Sequence, residues 1–323
     1  MSGLSRRAFA TAAALFLVGP IGARAAEPLK EIHIDWATYN PVSMVLKQKG
    51  LLEKEFAKDG INIVWVQSAG SNKALEFLNA GSIDFGSTAG SAALVARING
   101  NPIKSIYVYS RPEWTALVTT KDSKISGIAD LKGKRVAVTR GTDPHIFLVR
   151  ALLGAGLSEK DIHEVLLQHP DGKTALIRGD VDAWAGLDPM MAQAEIEDGA
   201  KLFYRNADAN TWGILNAREQ FLKDYPDIVR RVLATYEVAR KESLANYDEL
   251  KKTFIAVTKL PDAVVDKQLE RTELTHNKIG APQRESILAA GIALQQAGVI
   301  DAKVDVKAAL DALLDDQVPL PTN

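Results

Sequence analysis

A short unit that occurs twice in this sequence limits the choice of fold more than any other feature. Residues 81–86 read Gly-Ser-Ile-Asp-Phe-Gly, and residues 179–184 read Gly-Asp-Val-Asp-Ala-Trp. In each copy a glycine follows a helix-like stretch and an Asp lies between two apolar residues, a pattern typical of a helix C-cap that leads into a short buried strand. Because ligands collect beyond the carboxyl ends of strands in open α/β sheets, the two copies predict two lobes that share a cleft.

Strand-like apolar runs alternate with helix-like stretches through most of the chain. Residues 32–36, 61–66 and 103–109 are strand-like, and residues 135–139 form the strongest such run in the middle. This alternation predicts βαβ units and a largely parallel sheet. We expect lobe 1 to comprise residues 27–114 and 213–323, with a helical C-terminal segment, and lobe 2 to comprise residues 115–212. Two short crossings would then join the lobes, which suits hinge closure.

The first 25 residues have the composition of an export signal. Arg6 and Arg7 supply the charged region, an apolar run covers residues 10–21, and Ala23 and Ala25 have the spacing that a signal peptidase reads. The paired arginines resemble a twin-arginine signal, although a general secretory signal has a similar pattern. We expect cleavage after Ala25 and a periplasmic protein.

Charge and composition argue against several classes of function. Of 39 Lys and Arg residues, the signal removes Arg6, Arg7 and Arg24 and none of the 40 Asp and Glu residues, so 36 basic residues remain and the net charge becomes −4. That balance argues against a nucleic-acid or anionic-membrane partner. The absence of cysteine excludes disulfides and Cys-based sites. The five histidines lack metal-ligand spacing, and no nucleophile elbow, P-loop or dinucleotide motif occurs, so we expect no metal, no cofactor and no catalysis.

Five motifs occur in the order in which a known family has them. They are residues 49–54, 78–86, 128–137, 149–152, and 181–184 with Asp188 and Pro189. Over roughly residues 31–220 the chain resembles the solute-binding proteins of ABC transporters for aliphatic sulfonates, taurine and nitrate-like ligands. The resemblance implies an α/β, two-lobed type II periplasmic binding protein fold. It also implies a monomer that closes on a small-molecule solute and delivers it to an inner-membrane ABC permease.

The resemblance also indicates which loops line the cleft. We add His145, in the first turn after Gly141, and two of the four candidate wall tryptophans (Trp36, Trp114, Trp184 and Trp212), favouring Trp184 and then Trp212. The candidate ligand-binding residues are Tyr39, Asn40, Pro41, Ser68, Ala69, Gly70, Ser87, Thr88, Gly141, Thr142, His145, Trp184, Asp188 and Trp212.

The chemistry of these residues leaves the ligand open. Gly141 and Thr142 precede a predicted helix, whose first N–H groups favour an anion. Asp143 followed by Pro144 has the pattern of a helix N-cap, and its carboxylate would repel a sulfonate. The hydroxyls of Ser87 and Thr88 can donate to the oxygens of an oxyanion. Alternatively, they stabilise the turn in which they lie. Asp188 either binds an amine of the ligand or caps a helix.

Three functions are compatible with these observations. The leading hypothesis is the solute-binding component of an ABC importer for an aliphatic sulfonate. The second is the same clamp with another ligand, such as a pyrimidine vitamin precursor, an aromatic acid or an amine-bearing solute. The third is an exported enzyme that reuses the fold.

Overall fold

The structure, a computed structural model, describes residues 29–319. The predicted signal peptide lies outside the described residues. The strands are β1 (Glu31–Trp36), β2 (Asn62–Gln67), β3 (Phe85–Ala89), β4 (Ile103–Pro112), β5 (Leu117–Thr119), β6 (Arg135–Val138), β7 (His163–Leu166), β8 (Ala183–Ala185), β9 (Lys201–Tyr204), β10 (Gly213–Arg218) and β11 (Thr272–Glu273).

The α-helices alternate with the strands in the first two thirds of the chain and then follow one another. They are α1 (Pro41–Lys49), α2 (Leu51–Phe56), α3 (Ser71–Asn79), α4 (Gly90–Ile98), α5 (Asp143–Gly154), α6 (His169–Arg178), α7 (Met190–Asp198), α8 (Glu219–Asp224), α9 (Pro226–Ala245), α10 (Tyr247–Thr258), α11 (Asp262–Glu270), α12 (Ala281–Gln296) and α13 (Val306–Leu313). Among residues 29–319, no helix is long and apolar enough to cross a bilayer.

The strands form two sheets, as the repeated unit predicts. The first sheet has the order β11-β4-β10-β3-β1-β2, and the second has the order β7-β6-β8-β5-β9. β1 is parallel to β2 and β3, and β6 is parallel to β7 and β8. The expectation of a largely parallel sheet is wrong for the strands next to the crossings. β10 runs antiparallel to β3 and β4, and β5 runs antiparallel to β8 and β9, because the chain enters each sheet there from the other one.

The repeated unit has the same structural role in both sheets. Asp84, just before β3, accepts a hydrogen bond from the backbone N–H of His33 at 2.8 Å and pairs with Arg218. Asp182, just before β8, accepts one from the backbone N–H of Arg135 at 2.8 Å and pairs with that guanidinium. Each Asp therefore ties the start of its strand to the neighbouring parallel strand, β1 or β6.

The two crossings between the sheets lie side by side. Asn210 Oδ1 accepts from the backbone N–H of Thr115 at 2.9 Å, and Asn210 Nδ2 donates to the Thr115 carbonyl at 3.4 Å. The strands of the second sheet all fall between Leu117 and Tyr204. The exact lobe boundaries at residues 115 and 212 stay a prediction.

The C-terminal helices pack on the first sheet's side of the molecule and also contact the second lobe. α9 and α10 pack on α1, whereas α12 packs on both α4 and α5, and α11 packs on α7. The packing of the C-terminal segment is therefore not confined to the first lobe, with which we grouped it. This segment also contacts the helices that follow β6 and β8.

Candidate functional site

Asp35 lies at the carboxyl end of β1, in the centre of a buried polar cluster of the first lobe. Its Oδ1 accepts from the backbone N–H of Ser87 at 2.9 Å and from Ser87 Oγ at 2.8 Å. Asn40 Nδ2 donates to the same Ser87 Oγ at 2.8 Å, and the Tyr39 hydroxyl donates to the Ser87 carbonyl at 2.9 Å. The structure therefore brings together three predicted site residues, Tyr39, Asn40 and Ser87, and adds Asp35.

The Asp35 carboxyl is completely buried, and only one of its two oxygens forms hydrogen bonds. Burial raises its pKa to about 6, opposed by hydrogen bonds from the Ser87 amide and hydroxyl and by the nearby Ser68 hydroxyl, whose contact is too loose to count as a hydrogen bond. Among the described residues, Asp35 Oδ2 has no hydrogen-bond partner. We did not predict Asp35 as a site residue. The sequence did contain a signal for it, because a charged residue lies within the strand-like run of residues 32–36. A charge is rarely placed in a buried strand unless it has a specific role.

Three tyrosines surround this carboxylate and keep their protons. Burial raises the pKa of Tyr39, Tyr109 and Tyr236 well above that of a free phenol, and the charge of Asp35 raises each further. Tyr109 donates to the Thr88 carbonyl at 3.3 Å. Thr88 Oγ1 accepts from Asn216 Nδ2 at 2.8 Å, so the predicted ligand contact of this hydroxyl competes with an internal bond.

Three polar residues of the second lobe, Thr139, Thr142 and His169, form its part of the candidate site. Thr142 Oγ1 donates to the Thr139 carbonyl at 2.6 Å and forms no capping bond to α5. His169, at the start of α6, is fully buried, and burial lowers its pKa to about 3. Its Nδ1 lies 3.2 Å from Thr139 Oγ1, and its Nε2 has no hydrogen-bond partner among the described residues. His169 is a second residue that the sequence analysis missed.

The lobes meet at Gly70. A Cβ added at Gly70 would lie 3.0 Å from His169 Nε2 and 2.9 Å from Asn72 Oδ1, so a larger residue would force the lobes or these side chains to move. A Cβ added at Gly141 would lie 3.7 Å from Asn72 Cβ. The predicted residues Gly70 and Gly141 therefore lie on opposite sides of one junction, with Ala69 exposed beside it.

Asp143 joins the lobes instead of capping a helix. Its carboxylate accepts from Ser91 Oγ at 2.6 Å, Trp114 Nε1 at 2.8 Å, Thr211 Oγ1 at 2.7 Å and the backbone N–H of Thr211 at 3.0 Å. α5 begins at Asp143, after Thr142 in the N-cap position. The expectation of an Asp143 cap is wrong because donors from three distant segments compete for this carboxylate.

The tryptophans lie differently from the prediction. Trp114 contacts Asp143 and packs edge-on against Tyr39, with ring centroids 5.9 Å apart. Trp184 is buried in the core of the second lobe beneath α6, where a Cβ at Gly172 would lie 2.7 Å from its Nε1. Trp212 packs on His276 and under Arg111. Only Trp114, which we ranked lower, contacts both the Asp143 and the Tyr39 side chains.

Asp188 is paired within the protein. Its Oδ1 accepts from the backbone N–H of Ala192 at 2.8 Å, and its Oδ2 lies 3.4 Å from Arg271 Nη1. Burial raises the Asp188 pKa to about 7, opposed chiefly by the charge of Arg271. Asp188 therefore bonds a first-turn amide of α7 from the position before the N-cap residue Pro189, and the cation beside it is Arg271. Whether it also binds a ligand amine stays a prediction. Pro41, the remaining predicted residue, is buried in the first turn of α1.

His145 lines a groove of about 430 Å³ between α5, α4 and α12, and Gly141 lines the same groove. Its Nε2 donates to Glu159 Oε1 at 2.9 Å, which lowers the pKa of Glu159 to about 2. Atoms of His145, Glu159 and Glu164 that suit a metal ion lie within 4.8 Å of one another. Arg140 Nη2 pairs with Glu164 at 2.6 Å, so internal ion pairs already use these carboxylates.

Comparisons with known proteins agree with this architecture. The sequence family described as NMT1/THI5 like matches residues 47–249. The fold is similar to that of the alkanesulfonate-binding protein SsuA from Xanthomonas axonopodis pv. citri bound to MOPS, with a TM-score of 0.80, 27% identity, and coverage of 88% of this chain and 99% of that chain.

Relatives differ in how much of the chain they match. An aliphatic sulfonates-binding protein of Escherichia coli (strain K12) is 34% identical over 61% of this chain, and the match spans only 62% of that relative. One of Bacillus subtilis (strain 168) is 28% identical over 93% of this chain and 92% of its own length. A 4-amino-5-hydroxymethyl-2-methylpyrimidine phosphate synthase of Uromyces fabae is 29% identical over 52% of this chain and 48% of its own length.

Proposed function

Because the chain belongs to the NMT1/THI5-like family, we propose that it is the periplasmic solute-binding component of an ABC importer. The observation that carries this proposal is the junction at Gly70, where polar groups of two separately built lobes face each other. Gly70 and Asn72 follow β2 of the first sheet, whereas Gly141 and His169 follow β6 and β7 of the second. Such a junction is the usual place for a small-molecule site in two-lobed α/β proteins.

The two crossings would act as the hinge. They are short, and Thr115 and Asn210 hold them side by side. Rotation about this pair would open the Gly70 junction while leaving both sheets intact, which is the common geometry of hinge closure. A solute enclosed there would be desolvated between the Asp35 cluster and the loops after β6 and β7. We propose a monomer that docks on an inner-membrane permease and has no nucleic-acid partner.

The ligand class and the absence of catalysis are part of this proposal. Two of the relatives are named for aliphatic sulfonates, which makes sulfonates the first solutes to test. The relative named as a pyrimidine phosphate synthase keeps an exported enzyme as the second candidate. We favour the binding role because the match to the Bacillus subtilis binding protein covers 93% of this chain and the match to the synthase covers 52%.

The test combines a panel of solutes with a variant that blocks the junction. Thermal unfolding of the full chain would be measured with alkanesulfonates, taurine, nitrate, aromatic acids, amines and pyrimidines. A ligand at a hundred times its Kd adds about 2.7 kcal/mol of stability, which shifts the midpoint by a few degrees. Gly70→Leu should abolish the shift, and Gly127→Leu should keep it, because a Cβ at Gly127 meets no neighbour within 4 Å.

Two results would contradict the proposal. One is that no solute in the panel shifts the unfolding midpoint. The other is that a bound solute is converted to a product detectable by mass spectrometry, which would favour the enzyme. Stimulation of the ATPase activity of a reconstituted permease by the liganded protein, and not by the unliganded protein, would support the transport role.

A further inference from the structure

Three of the groups left unpaired near the lobe junction are hydrogen-bond acceptors, and a fourth, the Ser68 hydroxyl, can both donate and accept. Asp35 Oδ2, Asn72 Oδ1 and His169 Nε2 are buried polar atoms without a hydrogen-bond partner among residues 29–319. The Ser68 hydroxyl interacts with Asp35, and Gly70, two residues further on, lies against both Asn72 and His169. Asn72 Oδ1 and His169 Nε2 therefore meet beside Gly70, and Ser68, two residues earlier in the chain, leads from this point to Asp35.

The hydrogen bonds around His169 determine where its proton lies. Thr139 Oγ1 has a single proton, which it donates to the Leu167 carbonyl at 2.7 Å. At the 3.2 Å contact with His169 Nδ1 the Thr139 oxygen can only accept, so Nδ1 carries the imidazole proton. His169 is neutral because burial lowers its pKa to about 3. Nε2 is then an acceptor that faces the Gly70 junction.

Asp35 and Asn72 present acceptors as well. The amide and the hydroxyl of Ser87 both bind Asp35 Oδ1, so Oδ2 keeps its lone pairs, with the Ser68 hydroxyl nearby. With a pKa of about 6 this carboxyl is ionised at neutral pH and has no proton to donate. A buried acceptor without a partner is unfavourable, and more so when it is charged, so a bound molecule that donates to these atoms removes that cost.

Three side-chain donors beside the start of α5 are already occupied by a carboxylate of the protein. Ser91, Trp114 and Thr211 all donate to Asp143, which stands at the first turn of α5, where the sequence predicted an anion site. A sulfonate has only acceptor oxygens, and at the junction it would face the Asp35 carboxylate and His169 Nε2. Like charges and facing acceptors repel in a buried site.

We propose that the cleft takes a solute that presents hydrogen-bond donors to Asp35 and His169, with a primary amino or amidine group as the fitting chemistry. This inference rests on the proposed solute-binding function and narrows its ligand. An amino or amidine group carries the positive charge that suits Asp35 and the N–H donors that suit the lone pair of His169 Nε2. A solute that carries both an amino group and an acid is included, provided that the amino end enters the junction.

The first experiment compares solutes that differ by one amino group. Binding of 3-aminopropane-1-sulfonate and propane-1-sulfonate, 4-aminopyrimidine and 4-methylpyrimidine, and 4-aminobutanoate and butanoate to the full chain would be measured by calorimetry. In each pair that binds, we expect the amino member to bind about 10- to 100-fold more tightly, the gain from hydrogen bonds to a charged group. Asp35→Asn should remove about tenfold or more of that preference.

A matched control separates this effect from a general loss of structure. Asp84 is buried at the other end of the same sheet, where it binds the His33 amide and Arg218. Asp84→Asn should lower stability and leave the preference for the amino member unchanged. Equal or tighter binding of propane-1-sulfonate than of its amino partner would overturn the inference and leave the solute-binding role standing. No binding by any amino member would also overturn the inference, whereas the solute-binding role is decided by the wider panel of solutes.

A second measurement needs no ligand. Two-bond ¹H–¹⁵N correlation spectra of the unliganded full chain at pH 7, with His169→Gln to assign the signals, report which ring nitrogen carries the proton. We expect a protonated Nδ1 and an unprotonated Nε2 for His169. A proton on Nε2 would make this group a donor, and the inference would fail whatever the solutes do.

Discussion

Ser91 Oγ donates a 2.6 Å hydrogen bond to Asp143 Oδ1, and this bond joins helix α4 of the first lobe to helix α5 of the second. Trp114 and Thr211, one on each crossing, donate to the same carboxylate. Asp143 therefore links both lobes and both crossings through a single side chain. The contact between the lobes is held partly by this side chain, independently of any solute.

Replacing this carboxylate should loosen the molecule. Asp143→Asn removes the charge and turns an NH₂ group toward donors, so we expect a loss of about 1–3 kcal/mol in the free energy of unfolding. Urea unfolding would measure the loss, and small-angle scattering should show a larger radius of gyration. Asp208→Asn is the control, because that side chain is 90% exposed on the same crossing. Equal effects of the two variants would contradict the role assigned to Asp143.

A second buried pair ties the C-terminal segment to α7. Arg271 contacts Asp188 and Glu195, and Asp188 is only 1% exposed. Arg271→Met leaves a buried carboxyl without its cation and should cost about 3–5 kcal/mol. Asp188→Asn in that background should recover a substantial part of the loss, since the uncompensated charge is gone. Simple addition of the two single losses in a double-mutant cycle would show that the residues are not coupled.

Two helical glycines should respond oppositely to alanine. A Cβ at Gly291 in α12 would lie 2.7 Å from both Leu94 Cδ2 and Val306 Cγ1, whereas a Cβ at Gly154 in α5 meets nothing within 4 Å. Gly291→Ala should lower the free energy of unfolding by about 1–3 kcal/mol through overpacking. Gly154→Ala should be neutral or raise it by up to about 1 kcal/mol through helix propensity. Thermal and urea unfolding measure both, and the same sign for both variants would refute the packing of α12 on α4.

The buried His169 predicts an acid-dependent loss of stability. Its pKa is lowered from 6.5 to about 3, so between these values the unfolded chain binds a proton that the folded chain excludes. Stability is therefore full above pH 6.5 and falls as the pH decreases toward 3, by up to about 5 kcal/mol. Asp35 and Asp188, with raised pKa values, act in the opposite direction between about pH 4 and 7 and offset part of this loss.

The contribution of His169 to the pH dependence of stability is the difference between the wild type and a variant that lacks this imidazole. Unfolding free energies of the wild type and of His169→Gln would be measured from pH 4 to 8, with His163→Gln as an exposed control. The variant should lose less stability than the wild type below pH 6.5, and the control should follow the wild type. Parallel curves for wild type and His169→Gln would mean that His169 is not excluded from protonation by burial.

Local patterns carried most of what the sequence could predict. Each copy of the repeated unit contains its whole signal within six residues, and the structure shows Asp84 and Asp182 in the same role. Asp143 failed as a predicted cap because its partners are 52 and 68 residues away, at Ser91 and Thr211. No local pattern states which of several distant donors reaches a carboxylate.

Strand direction and the choice among tryptophans were not available from the sequence either. β10 has the same apolar pattern whether it runs parallel or antiparallel to β3, and only the crossing decides. Trp114 was separable from Trp184 only through its contact with Asp143, which depends on the three-dimensional path of α5. Asp35 did carry a signal, a charge in a buried strand, and a stricter search for such residues would have found it.

The position of β10 has a consequence for the order in which the protein can fold. β10 pairs with β3 on one side and β4 on the other, yet it is made of residues 213–218, after the entire second sheet. During synthesis the second sheet has all its strands once residue 204 has emerged, whereas β4 cannot join β3 until residue 218 has followed. Until then the edges of β3 and β4 that later pair with β10 are unpaired. Unpaired strand edges of this kind promote association with other chains.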